Sequence, residues 1–404
     1  MGGLRQGRLV GPQIAVLWAY VIAVAISVLL SFTTGGAFRP GVIGAVLIGV
    51  AVGFGGVNGL RGWALTGLAV ALAIGLGFTP VGVIRFGAEM GIGLKLLAGG
   101  MFGLGIGLPV ARMLEGCPAG GLTRHEFEEA WIRFLTGFGY IFFTAIVAIP
   151  FYVMVMTSLK SQGELIANPL DFTIDLSQGW GLLRSYVELF RDFNFGSYLW
   201  TSLYVSILTV LITLAFSIPG AYAVARLRFR GQKALSRSVL LIYMVPMIVL
   251  ALPIYIAFSM FGLRNSILGI VLIYPVTTIP VSLYMLQGYF RGLPAEIEEA
   301  GLMDGLSRLK VIWKITLPLS LPALASVSLY VFMIAWNEFL LAFMLLDDPS
   351  RFTLTRGVAM LNSSEVPRQH LMAGAVIATV PVMALFLGLE KFMTRGLTAG
   401  SVKG

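Results

Sequence analysis

Residues 296–322 read EIEEAGLMDGLSRLKVIWKITLPLSLP. This polar stretch interrupts a 404-residue chain that is 57% hydrophobic and only 12% charged, with a mean hydropathy of +0.89. A soluble domain carries about twice that charge. On both sides lie apolar runs near the roughly 20 residues that cross a bilayer as a helix. Runs of that length in lipid must satisfy their own backbone groups, so they are helices. Within the stretch and just before it, Pro294 suits the first turn of a helix. Glu296, Glu298 and Glu299 follow where the helix dipole favours negative charge. Ile297, Ala300, Gly301 and Asp304 share one face, with small residues at its centre. Gly305 ends the helix, Ser307 can cap a second one, and Leu317-Pro318 marks the junction with the next apolar run. The object described is a short helix, a glycine turn and a second helix, held between two membrane spans.

Outward from this loop, the chain reads as an all-α polytopic membrane protein with about ten spans. They lie near 13–32, 41–57, 62–78, 94–111, 134–156, 198–222, 238–260, 266–287, 320–345 and 371–392. The first is expected to remain uncleaved, because no convincing small-residue cleavage site follows it. Basic residues collect at Arg5 and Arg8, between Arg226 and Arg237, at Arg291, Arg308, Lys310 and Lys314, and at Lys391, Arg395 and Lys403. The positive-inside rule then puts both termini and the 296–322 stretch in the cytoplasm of a bacterial plasma (inner) membrane protein. It also accounts for the net charge of +9 without nucleic acid. The single cysteine, Cys117, excludes an internal disulfide.

Composition changes near residue 121. Of the 49 glycines, 29 fall in residues 1–121. After Gly120 and Gly121, Thr123 and Glu126 fit a capping box that opens a new helix. We divide the chain into a glycine-rich four-span region, 1–121, of unknown role, and a six-span core, 122–404, whose polar loop lies near 288–319. Gly99, Gly103 and Gly107 form two overlapping small-xxx-small steps suited to close helix packing. Arg85, Glu89 and Lys95 read as an outer loop in water, the alternative being a functional cluster buried in the bilayer.

The spacing Glu299-Ala300-Gly301, three residues, Gly305, nine residues, Ile315, one residue, Leu317-Pro318 resembles the EAA loop of ABC importer permeases. Gly301 replaces the second alanine of that motif, a small-for-small departure that loosens the helix by about 1 kcal/mol. TSLKSQGELIANP (157–169), SYLWTSLYVSILTVLITLAFSIPGAYAVARLRFRG (197–231) and WNEFLLA (336–342) resemble further segments of the carbohydrate branch. The best fit is to binding-protein-dependent, type I permeases of the maltose-type (MalG-like) importers, over about 134–404; residues 1–121 fall outside the pattern.

The resemblance implies the permease subunit of an ATP-driven sugar importer, possibly for an α-glucoside or disaccharide. Its partners would be a second, homologous permease, a dimer of a separate ABC ATPase, a periplasmic or lipid-anchored sugar-binding protein, and membrane lipid. ATP and Mg would be bound by the ATPase. The alternatives are a permease for another small solute, such as an amino acid or polyamine, and a gradient-driven carrier. The residues themselves support one part directly. No G-x-x-x-x-G-K-[ST] occurs, so no phosphate-cradling loop is expected. His125 and His370 stand apart from any cysteine set or carboxylate pair, so neither a metal site nor catalytic chemistry is expected.

Candidate residues follow in two groups. Glu299, Ala300, Gly301, Asp304, Gly305, Leu317 and Pro318 are the ATPase-coupling set implied by the resemblance, with Arg308 and Lys310 either adding contacts or simply solvated. The second group is a candidate translocation path. Trp336, Asn337 and Glu338 combine an aromatic, an amide and an ionisable group inside a span, a functional hypothesis by default. The competing reading puts Glu338 near a helix end, packed or wet. Tyr274, Thr278, Tyr284 and Gln287, with Thr277 and Ser282, give their span a polar edge that lines the path or joins helices.

Overall fold

The computed structural model describes residues 5–87, 91–169 and 171–398 and is helical almost throughout. Glu89 and Lys403 lie outside the described residues. The chain divides into two compact units, Met1–Gly179 and Trp180–Gly404.

The first unit contains α1 (Gly7–Thr34), α2 (Val42–Val57), α3 (Gly62–Gly77), α4 (Ile92–Met113), α5 (Arg124–Ser158) and α6 (Gln162–Ala167). Glycine lets the first four approach backbone to backbone. A methyl added at Gly49 or Gly53 of α2 would come within 2.5 Å of the Cα of Val16 or Pro12 in α1. Gly99, Gly103 and Gly107 of α4 lie one turn apart against Ile74, Val70 and Thr66 of α3, as their spacing predicts. Two-residue strands β1 (Arg39–Pro40) and β2 (Ile84–Arg85) pair antiparallel, joining the loop after α1 to the loop after α3. Arg85 therefore sits opposite Arg39 in this ribbon, while Lys95 reaches over the Phe86 ring. Near the other end, the amide of Gly7 donates to Gly120 O (2.8 Å) and that of Leu122 to Arg5 O (2.7 Å).

The expected capping box opens α5: Thr123 Oγ1 accepts from the Glu126 amide (3.3 Å), and Glu126 Oε2 from the Thr123 amide (2.8 Å). The helix starts ten residues before its apolar run because this cap and the Arg133 guanidinium, which donates to Arg112 O and Glu115 O (3.0 and 2.7 Å), anchor a polar first section. Phe134 meets Trp18 edge to face. The composition break at 121 and the packing boundary at 179 thus differ by α5 and α6.

The second unit contains α7 (Arg184–Asp192), α8 (Phe195–Arg226), α9 (Gln232–Tyr243), α10 (Met247–Met260), α11 (Ile267–Gly292), α12 (Ala295–Met303), α13 (Arg308–Leu319), α14 (Leu321–Asn337), α15 (Leu340–Leu345), α16 (Leu354–Met360) and α17 (Arg368–Thr398). Its core is α8, α11 and α14, with α17 packed on α14.

Among the described residues, six helices are long and apolar enough to span, α13 and α14 form a seventh candidate bent by 81°, and α2, α3 and α10 are shorter apolar helices. Two expected runs are interrupted. The run 238–260 is broken at 244–246, where Pro246 is extended and precedes α10. The run 320–345 is broken after Asn337, where Glu338 is extended (φ −67°, ψ 124°) and the helix restarts at Leu340. Hydropathy averaged over a span passes over both breaks, since the residues beyond Asn337 and Glu338 on either side are apolar.

Candidate functional site

The loop between α11 and α14 folds as its sequence predicts. Extended Pro294 starts α12; Gly305 stops it with φ +80°; Ser307 Oγ accepts from the Lys310 amide (3.4 Å) to start α13. α13 contains one π turn, Ile312–Thr316, and runs on through Leu317 and Pro318. The bend to α14 comes at Ser320, two residues beyond the predicted junction.

The loop has an inner and an outer face. Gly301 is on the inner one: a methyl there would meet Ile315 Cδ1 at 2.5 Å, so its absence lets α12 lie close on α13. Glu299, Ala300, Asp304, Gly305 and Pro318 are exposed and Leu317 is half-buried. Around them stand large apolar side chains that the sequence reading passed over: Met303 (87% exposed), Trp313 (71%) and Leu309 (70%). Arg308, Lys310 and Lys314 are exposed beside them. The signal available was a tryptophan and a methionine among the charged residues of the loop.

Glu298 was read only as a complement to the helix dipole. It is buried, with 6% of its surface exposed. Thr316 Oγ1 donates to its Oε1 (3.0 Å), Tyr222 Oη to its Oε2 (3.2 Å), and Arg226 Nε lies 3.4 Å from Oε1. Arg226 Nη2 also donates to Leu293 O (2.8 Å). No periodicity announces such a node, because its members come from α8, α12 and α13.

The second group of candidates divides into several environments. Trp336 is buried, stacks on Phe332 and donates from Nε1 to Ala378 O of α17 (3.0 Å). Asn337 donates to Met333 O within its own helix (2.9 Å). Glu338 accepts from the amides of Leu341 (2.8 Å) and Ala342 (3.1 Å), capping α15. The buried Tyr274 hydroxyl lies against Glu338 and Thr353. Thr278 and Thr213 share a 2.6 Å hydrogen bond between α11 and α8. Gln287 is buried and donates to Ser236 of α9 (3.0 Å). Tyr284 is half exposed, and Asn337 is exposed as well. The structure brings Tyr274 and Glu338 together and leaves Tyr284 apart.

A bundle of apolar helices, with a polar two-helix loop bonded beneath it, defines a multispan membrane component rather than a soluble protein. By sequence the chain belongs to the family described as binding-protein-dependent transport system inner membrane component, whose pattern matches residues 217–398. It is 38% identical over 269 residues to the inner membrane ABC transporter permease protein YcjP of Escherichia coli K12, covering 66% of this chain and 95% of that one. It is 34% identical over 281 residues to the trehalose/maltose transport system permease protein MalG of Thermococcus litoralis, covering 69% and 99%. In fold it is similar to a chain of a bacterial ABC transporter involved in the import of the acidic polysaccharide alginate, at 21% identity and a TM-score of 0.57, covering 67% of this chain and 98% of that one. The protein is thus a multi-pass inner-membrane permease subunit of an ABC transporter, a family that works with separate partner subunits.

Proposed function

We propose that this permease imports a carbohydrate, with ATP and Mg bound by a separate ATPase and both permease termini on the cytoplasmic side. The supporting relatives are sugar permeases by name, among them those for trehalose/maltose, diacetylchitobiose and arabinooligosaccharides. The sequence contains no G-x-x-x-x-G-K-[ST] motif, and in this reading nucleotide binding and hydrolysis belong to the partner.

The observation that carries the coupling role is the outer face of the α12–α13 loop. Met303, Leu309 and Trp313 expose large apolar side chains, the last two one turn apart on α13, in a loop where Glu299, Asp304, Arg308 and Lys310 are also exposed. An apolar centre with a charged rim is the usual composition of a protein contact. In this reading the loop rests on the ATPase. Closure of the ATPase dimer draws it inward together with the equivalent loop of a second, homologous permease. The helices above then rock between outward- and inward-open states about a site near the midplane, and a binding protein delivers the sugar from outside. Trp336 and Glu338 act here chiefly as structure, since their polar atoms are engaged by backbone groups, while Asn337 is exposed and bonds Met333 O through its amide nitrogen. Most sugar contacts then fall to the partner permease.

The test is purification of the tagged protein from its native membrane in mild detergent, followed by mass identification of what accompanies it. A soluble ATPase and a second permease should co-purify, and Trp313→Glu should release the ATPase. Recovery of the protein without an ATPase, or an ATPase still bound to Trp313→Glu, would overturn the coupling reading of this loop.

A further inference from the structure

The α12–α13 loop is bonded most firmly to a span that it does not follow in the chain. Connectivity joins α12 to α11 through Leu293 and Pro294, both extended (ψ 143° and 124°). A joint of this kind, at the end of an element, is where a chain absorbs rotation. Glu298 bridges that joint to another helix. Its carboxylate takes hydrogen bonds from Tyr222 of α8 and Thr316 of α13, and Arg226 at the end of α8 lies within ion-pair distance. The same guanidinium donates to the Leu293 carbonyl, so one side chain holds both the joint and the helix beyond it. The side chains of Glu298 and Arg226 are only 8% and 14% exposed. At 3.4 Å the pair is an ion contact without a hydrogen bond from Arg226 Nε, and separating its members leaves a buried charge without compensation. Arg308 stands beside Tyr222 and adds positive charge to the node.

We infer that Glu298 and Arg226 are positioning residues that clamp α12 to α8, so that displacement of the loop is delivered to α8 rather than dissipated at the Leu293–Pro294 joint. This rests on the coupling role proposed above. Glu298 differs in kind from its neighbour Glu299, which is exposed and free to meet a partner. α8 is suited to receive the push. It is one continuous helix of 32 residues. It is tied to α11 by Thr213 and Thr278, and to α16 by Ser202, whose hydroxyl accepts from the Leu354 amide (2.7 Å).

The experiment uses the complete transporter with its own ATPase, in a Cys117→Ser background. Spin labels are placed at Glu296→Cys of α12, outside the proposed ATPase contact, and Phe216→Cys of α8, both exposed. Their separation is measured in the nucleotide-free complex and after trapping with MgATP and vanadate. The clamp predicts a narrow separation that does not change on trapping. Arg226→Gln and Glu298→Gln should shift and broaden it, and Arg226→Lys should restore much of it. If either glutamine variant fails to accumulate, Tyr222→Phe and Thr316→Val are read in its place. A separation that already shifts in the unsubstituted node, or variants that stay narrow and unchanged, would overturn the clamp. In both of those outcomes the ATPase is still bound and the coupling reading stands; if no ATPase accompanies the labelled permease, the coupling reading itself has failed.

Discussion

Gly301 and Gly305, four residues apart, resist substitution for different reasons. At Gly301 the obstacle is Ile315 Cδ1, the tip of a flexible side chain. Gly301→Ala should therefore be tolerated after a small rotamer shift, while Gly301→Leu should force α12 off α13 and weaken ATPase co-purification. At Gly305 there is open space, but φ is +80°. Any residue with a β-carbon is strained there by about 1–2 kcal/mol whatever its size. Gly305→Ala and Gly305→Leu should then impair transport to a similar degree, with Gly305→Asn milder; a graded loss with side-chain volume would contradict this. Asp171 shows the same dependence on local geometry. Hydrogen bonds from the Thr173 side chain and amide, and the Lys160 ammonium at 3.0 Å, hold its carboxyl down at about 2. The folded value is below the ordinary one, so the stabilisation is complete at neutral pH and fades only as pH falls through about 4 towards 2. Asp171→Asn should remove it at every pH, which limited proteolysis after α6 would register. The turn at Gly305 was legible because left-handed backbone selects a residue type. The burial of Glu298 was not, because it depends on what Tyr222 and Arg226 bring from α8, more than seventy residues earlier.

Elements were legible where the signal is local. The capping box at Thr123 and Glu126 appears with both of its reciprocal bonds. The Gly99, Gly103 and Gly107 series meets α3 as its period requires. Gly103→Leu should separate these two helices, because the added atoms would overlap the Val70 backbone at 2.4 Å; loss of folded, detergent-soluble protein is the expected outcome, read by size-exclusion profile. Elements were illegible where a span breaks inside an apolar run. The gap between α14 and α15 is filled by the Glu338 carboxylate, which supplies acceptors to amides that a fresh helix start leaves open. That is why an ionisable group stands in this span, and why its chemistry alone suggested ligand binding. Glu338→Ala should cost about 1 kcal/mol as a lost cap and lower thermal stability in detergent. A changed sugar affinity with unchanged stability would instead return Glu338 to the translocation path.

For the whole molecule, family membership came from the 296–322 loop, whereas the first 121 residues carried no family pattern to read. The packing gives them a local role that composition could not: α1 and α4 cover one side of α5 through Trp18, Arg112 and Glu115. Deleting residues 1–121 should therefore expose the Phe134 face of α5 and reduce recovery of intact permease from the membrane; wild-type recovery and uptake would show that α5 needs no such cover. The same region has a consequence for its surroundings. α2 and α3 have 16 residues each, so each is only about 24 Å long, against about 30 Å of hydrocarbon in a typical bilayer. A span this short is accommodated by thinning of the lipid beside it, by snorkelling of flanking side chains or by oligomerisation, and we predict thinning beside α2 and α3. In vesicles of graded acyl-chain length the permease should keep its thermal stability best in the shorter chains, and the preference should vanish when α2 and α3 are removed.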